Sequence, residues 1–320
     1  MSIASLLPLG QTALELGLIC SLTVLSLFLS YTMLNVCDLS TDGCFTLGAT
    51  VGAVVALAGH PYLAILAAMG AGILSGFTTA FLQTKMGIES LLSGIIVNTA
   101  LYSINIAIMG GAALLNMNAT ETVFTKMKAL LEGTAFSKLY ILAIALLAVA
   151  LVTAFLVYFL GTRAGLAIRA TGNNRAMVKS SSINPVYTTI AGLCISNSFT
   201  ALSGCLLAQS QKSVSIDIGT GMVTIALASL LIGRTLVRRG GVLKRAAGAV
   251  AGAVIFRLVY TIALRFRMPA YMLRLISAVI VVVAISLPYL QSRWPEFKRR
   301  LDYRRGFRAT GKEAGTDAEA

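Results

Sequence analysis

Apolar runs close to twenty residues long recur along the whole chain, separated by short stretches rich in Gly, Asn, Lys and Arg. As a helix, each run is long enough to cross a hydrocarbon core of roughly 30 Å. In lipid it must be helical, because every unpaired backbone group there costs several kcal/mol. The runs predict nine membrane segments, at residues 12–35, 44–59, 62–83, 90–111, 138–160, 187–208, 220–236, 246–264 and 270–290. The second is short and rich in Gly and Ala, which predicts a broken or half-inserted helix. The expected fold class is all-α, a polytopic membrane bundle of about eight to ten transmembrane helices. One domain would cover 1–290, followed by a basic tail at 291–320 whose end, "ATGKEAGTDAEA", has the composition of disorder.

The polar intervals orient these spans. The loop 161–187 holds four basic residues and no acid, and 233–245 holds five (Arg234, Arg238, Arg239, Lys244, Arg245) and no acid. The tail 291–320 adds eight basic residues against five acids, so these three regions hold 17 of the 26 Lys and Arg. They share one face if the last five spans alternate, and an excess of Lys and Arg marks the cytoplasmic face. Nine spans place the N-terminus outside; a half-inserted second segment would place it inside. The segment 112–137, polar and moderately charged, is expected outside, with one amphipathic helix lying on the membrane. Arg265, Arg267 and Arg274 fall at the outer junction of the last two spans, where they either snorkel to the interface or meet an acidic partner surface.

Composition agrees: 57% of the 320 residues are hydrophobic and only 12% charged, against about 25% charged in soluble domains. The net charge of +14 reads as topology with some attraction to anionic membrane lipid, and implies no nucleic acid. The N-terminus has neither the basic region nor the small-residue cleavage site of a secretory signal, so the first span is expected to be retained. The five cysteines lie in or beside spans without CxxC spacing, so neither disulfide nor metal site is expected. His60 is the only histidine, which leaves no catalytic constellation; no cofactor is expected, and no GxxxxGK[ST] loop offers an ATP site.

Small residues four apart make helix faces that admit close backbone contact: Gly48 and Gly52, Gly72 and Gly76, Gly248 and Gly252. "LGATVGAVVA" from Leu47 is echoed by "AGAVAGAVIF" from Ala247, and "LSGFTTAF" from Leu74 more loosely by "LSGCLLAQ" from Leu202, as an internal repeat or as a low-complexity coincidence. Polar residues within or beside spans are the candidates for a translocation path: Asp42, Asn98, Asn105, Asn197 and Gln209, with Asp38 and Asp217 nearby. Asp42 either caps the helix that begins beside it or contacts a ligand. Asn98 and Asn105, seven apart, share a helix face that either bonds a neighbouring helix or lines a polar path. No ladder of carboxylates or histidines crosses the spans, which argues against a proton relay.

The basic stretch "LAIRATGNNRAMVKSSSINP" stands out among the loops. Gly172, Asn173 and Asn174 predict a helix break, with Asn174 capping a short helix from Arg175 to Ser181 that ends before Pro185. That helix would lie across the membrane face and present Arg175, Met177 and Lys179, either as a solvated loop that holds topology or as a rigid peg for a partner. The run "RATGNNRAMVKSSSINPVYTTIAGLCISNSFTALSGCLLAQ", with "CDLSTDGCFTLGA" and "GGVLKRAAGAVAGAVIFRL", resembles permease subunits of bacterial ABC importers of the branched-chain amino acid and ribose type. More narrowly, "DLSTDGCFTLGATV" with "GIIVNTALYSINIAIMG" is similar to the tryptophan/tyrosine importer branch. The likeness spans about 40–290; where relatives carry an acid in the final outer junction, this chain reads "FRMPAYMLRL".

The resemblance implies a permease in the bacterial inner membrane whose two copies form the pore, as a homodimer. A separate cytoplasmic ABC ATPase would dock on a coupling loop comprising Arg169, Ala170, Thr171, Gly172, Asn173, Asn174, Arg175, Met177 and Lys179, and an extracytoplasmic substrate-binding protein would deliver a small solute such as an amino acid. The alternatives are a secondary transporter or a channel-like protein that works without an ATPase.

Overall fold

The computed structural model describes residues 6–130, 139–237 and 240–265, together with 275, 278–283 and 286. The chain forms α1 (Leu6–Leu27), which runs on as a π-helix over Phe28–Met33, then α2 (Thr41–Leu57), α3 (Pro61–Thr84) and α4 (Ser90–Ile108). A short strand β1 (Leu114–Asn116) and helix α5 (Val123–Leu130) precede α6 (Tyr140–Gly161), α7 (Arg163–Asn173) and α8 (Arg175–Ser180). The long α9 (Pro185–Gln211), strand β2 (Ser213–Ser215), α10 (Met222–Leu236) and α11 (Val242–Arg265) complete the order.

Among the described residues six helices are long and apolar enough to cross a membrane: Gly10–Met33, Pro61–Thr84, Ser90–Ile108, Tyr140–Gly161, Pro185–Gln211 and Val242–Ala263. Two shorter apolar helices, α2 and α10, accompany them. The fold is an all-α polytopic bundle, as the apolar runs predict. Two details differ. The second helix is short but unbroken, and the interruption lies before it, at 34–40. Most of the ninth predicted span, the tail 291–320, Arg267, Arg274 and the side chain of Arg265 lie outside the described residues.

Local signals set the helix starts. Proline opens α3 and α9, where its missing N–H costs nothing. Asn184 caps α9 by accepting from the Val186 N–H at 3.0 Å, and the left-handed Lys212 ends it. The polar segment 112–137 holds both α5 and β1; β1 pairs antiparallel with β2, Leu115 opposite Val214.

Helices α1 and α9 are buried over most of their length, whereas α3, α4, α6 and α11 leave most of theirs uncovered. Hydroxyls join the central pair. Thr200 Oγ1 donates to Ser26 Oγ at 2.8 Å, Ser196 Oγ to the Ser26 carbonyl at 2.9 Å, and Ser203 Oγ to the Ile19 carbonyl at 2.7 Å. Such bonds suit a bundle in lipid, where apolar burial gives helices little reason to prefer one another. The packing repeats: α2 lies against α3 and α9, α10 lies against α11 and α1, and α3 packs along α9 as α11 packs along α1. The matched units are therefore α1–α2–α3 and α9–α10–α11. The Gly/Ala echoes of Leu47 with Ala247 and Leu74 with Leu202 pair α2 with α11 and α3 with α9, a different register from this packing.

Candidate functional site

The two short helices both begin inside the bundle. After Met33 the chain leaves helix and runs through 34–40 to Thr41. Asp38 on this stretch is only 1% exposed. Its carboxylate accepts from Ser40 N at 2.8 Å, Ser40 Oγ at 2.6 Å and Asn197 Nδ2 at 2.8 Å. Asn197 lies twelve residues beyond the start of α9 at Pro185, about 18 Å along the helix axis at 1.5 Å per residue. Irregular backbone at such depth survives only when it is buried in protein or lines a cavity, and Asp38 supplies the acceptors that make burial tolerable.

Asp42 sits in the first turn of α2 and acts on a different helix from the one expected. Its Oδ2 accepts from Gly221 N at 2.9 Å and its Oδ1 from Val223 N at 2.7 Å, so it caps the start of α10. Gly221 is left-handed and has no side-chain cap of its own, and the carboxylate fills that gap from across the bundle. One side chain thus joins the N-termini of α2 and α10.

Beside this junction is a cavity of about 340 Å³. Asp42, Asn98 and Asn105 line it together, with Tyr102, Asp217 and Thr220. Asn105 also donates to the Gly43 carbonyl of α2 at 3.2 Å, which is the bond to a neighbouring helix that one reading of the asparagine pair expects. Gly43 leaves room for Asn98: a Cβ there would stand 2.7 Å from Asn98 Oδ1. Among the described residues the cavity wall carries two carboxylates, Asp42 and Asp217, and no basic residue, so it favours a cationic group such as an ammonium.

The other two path candidates lie elsewhere. Asn197 is buried against Asp38. Gln209 accepts from Val123 N at 3.0 Å and donates to the Pro61 carbonyl at 3.4 Å, tying the starts of α5 and α3 to the end of α9. Both are internal fasteners, outside the cavity wall.

At the basic end, Thr162 caps α7 by accepting from Gly165 N at 3.3 Å. Asn174 caps α8, its Oδ1 accepting from Ala176 N at 3.0 Å and Met177 N at 3.1 Å. The interruption is narrower than the sequence suggests, because Gly172 and Asn173 belong to α7 and only Asn174 is extended. Gly172 is small for another reason: a Cβ there would run into the Met33 carbonyl. Arg169 and Ala170 lie within α7, and Thr171 is buried and shares a 2.8 Å hydrogen bond with Thr188 of α9. On α8, Val178 is buried whereas Arg175, Met177 and Lys179 are exposed, Met177 by 65%.

The six spaced glycines all lie at helix contacts. A Cβ at Gly48 or Gly52 would strike Ala201 or Cys205 of α9, and one at Gly72 or Gly76 would strike Asn197 or Leu193 of the same helix. Gly248 and Gly252 face Gly233 and Ser229 of α10.

Sequence reasoning passed over two ionisable residues inside spans. Glu15 of α1 is buried and accepts from Gln11 Nε2 at 2.8 Å. Arg257 of α11 stacks on Tyr260, 5.3 Å from the ring centroid. Single charges in apolar runs were the available signal. Tyr102 was also missed, although Asn98, Tyr102 and Asn105 follow the spacing of one helix face.

These features define a multi-pass membrane protein with a polar cavity at a helix junction. The family model described as "Branched-chain amino acid transport system / permease component" matches residues 11–285. The chain belongs to this family and is a permease subunit of an ABC importer. It is 33% identical over 271 residues to the tyrosine transport system permease protein of Clostridioides difficile (strain R20291), covering 84% of this chain and 88% of that one. It is also 27% identical over 281 residues to an uncharacterized protein of Rickettsia prowazekii (strain Madrid E), covering 86% and 96%. No solved structure matches the chain.

Proposed function

We propose that two copies of this chain form the pore of an importer for an amino acid in a bacterial inner membrane, driven by a separate cytoplasmic ATPase that docks on α7 and α8. A substrate-binding protein delivers cargo at the opposite end, where β1, β2 and α5 lie. The observation that carries this reading is α8 itself: one buried anchor at Val178, a cap at Asn174, and an outward face of Arg175, Met177 and Lys179. A six-residue helix has too few internal bonds to stand alone, so its caps and anchor make it stiff enough to pass on a push. α7 continues that push to the Met33 end of α1, which Gly172 touches. The cavity beside Asp42 lies on the path, and its two carboxylates suit the ammonium group that every amino acid carries. The relative named for tyrosine transport supports an amino acid cargo.

The test is uptake by proteoliposomes that hold the permease, its ATPase and its binding protein. An Arg175→Glu, Met177→Asp variant is expected to insert normally, lose ATPase binding and take up nothing. Undiminished uptake by this variant would contradict the reading.

A further inference from the structure

A second polar cavity, of about 430 Å³, opens at the basic end between the π-helical end of α1, the end of α7, the end of α10 and the start of α11. Its wall offers donors from Tyr31, Thr32, Asn35, Asn173, Arg234 and Arg245, and among the described residues no carboxylate lines it. Among the described residues the one ion pair is Lys126–Glu121, so no described acid neutralises either arginine. Three helices end here, each contributing about −0.5 elementary charge from its carbonyls, while the start of α11 contributes about +0.5. Two guanidinium groups outweigh that sum and leave the cavity positive. Of the described basic residues in loops 161–187 and 233–245, Arg234 and Arg245 line it.

We propose that this cavity binds a phosphate group, presented either by an anionic phospholipid headgroup or by a soluble phosphorylated compound. Guanidinium forks match phosphate oxygens bidentately, and basic pockets between transmembrane helices are suited to lipid headgroups. The bound group would touch α7 through Asn173 and α10 through Arg234, and so would join the coupling element to one of the helices at the Asp42 junction. It lies outside the cargo cavity and is independent of which solute is carried.

The experiment uses the purified full-length chain in zwitterionic detergent, titrated with phosphatidylglycerol, phosphatidylcholine or inorganic phosphate, with binding read by native mass spectrometry and by shift in Tm. Phosphatidylglycerol or phosphate is expected to bind and phosphatidylcholine to fail. Arg234→Gln with Arg245→Gln should weaken binding at least tenfold, while Arg175→Gln on α8, which removes the same kind of charge outside the cavity, should leave it unchanged. Inorganic phosphate that competes with phosphatidylglycerol locates the recognition in the shared phosphate; phosphate that binds while the lipid does not assigns the site to a soluble ligand. Equal losses in Arg175→Gln and the double variant, undiminished binding in the double variant, or no binding of either probe would overturn the proposal.

Discussion

The junction inside the bundle and the short helix at its basic end are both built from capped helix starts, but they spend their polar groups differently. At the junction, Asp38 and Asp42 turn inward and satisfy backbone and side-chain donors of the 34–40 stretch and of other elements. On α8, Asn174 satisfies only its own helix, and the remaining polar side chains face outward. Polar groups that are consumed internally hold the architecture together. Those left free on a stiff support are available to a partner. Substitutions at the two places should therefore separate stability from transport.

The largest effect is expected at Asp38. Asp38→Ala leaves the Ser40 N–H, the Ser40 hydroxyl and the Asn197 amide without an acceptor, and buried unsatisfied donors cost about 1–3 kcal/mol each. Little folded protein should survive detergent size-exclusion chromatography, and near-normal yield would remove Asp38 from its structural role. Gly48→Val comes next, since the added atoms meet the backbone at Ala201 and overpacking costs roughly 1–3 kcal/mol or more. Its Tm in detergent should fall well below that of Gly70→Val, where a Cβ meets nothing within 4 Å.

Asp42→Ala frees the Gly221 and Val223 N–H groups at a partly buried site, so the stability loss should be about 1–2 kcal/mol, in the range of other lost caps. Transport should fall far more than stability, because the same carboxylate lines the cavity; a variant with lowered Tm and full uptake would restrict Asp42 to capping. Asn174→Ala is expected to cost least, about 1 kcal/mol of local helix stability, with global Tm almost unchanged and α8 exchanging its amide hydrogens faster. ATP-driven uptake should drop in spite of that small cost.

Much of this comparison could be read from the sequence, and the remainder was hidden for physical reasons. The spans 62–83, 138–160 and 187–208 correspond to α3, α6 and α9 because a long apolar run bounded by Pro, Gly or Asn admits one outcome in lipid. Asn174 was legible as a cap because capping is local. Asp42 was misassigned to its own helix because its partners, Gly221 and Val223, lie some 180 residues further along the chain. Gly172 looked like a breaker because glycine usually is one in a loop; its neighbour, the Met33 carbonyl, comes from a segment well over 100 residues earlier in the chain. The β1–β2 pair is three residues long and joins segments about 100 residues apart, too short to leave a periodic trace.

The central claim is that α8 faces the cytoplasm and is covered by an ATPase. Labelling of a Met177→Cys variant tests it most directly, in a background where the five native cysteines, of which Cys20, Cys44 and Cys205 are buried, are replaced by Ser or Ala. A membrane-impermeant maleimide should leave this thiol untouched in intact cells, react once the membrane is opened, and be blocked when the ATPase is bound. Modification in intact cells, or equal reaction with and without the ATPase, would contradict it.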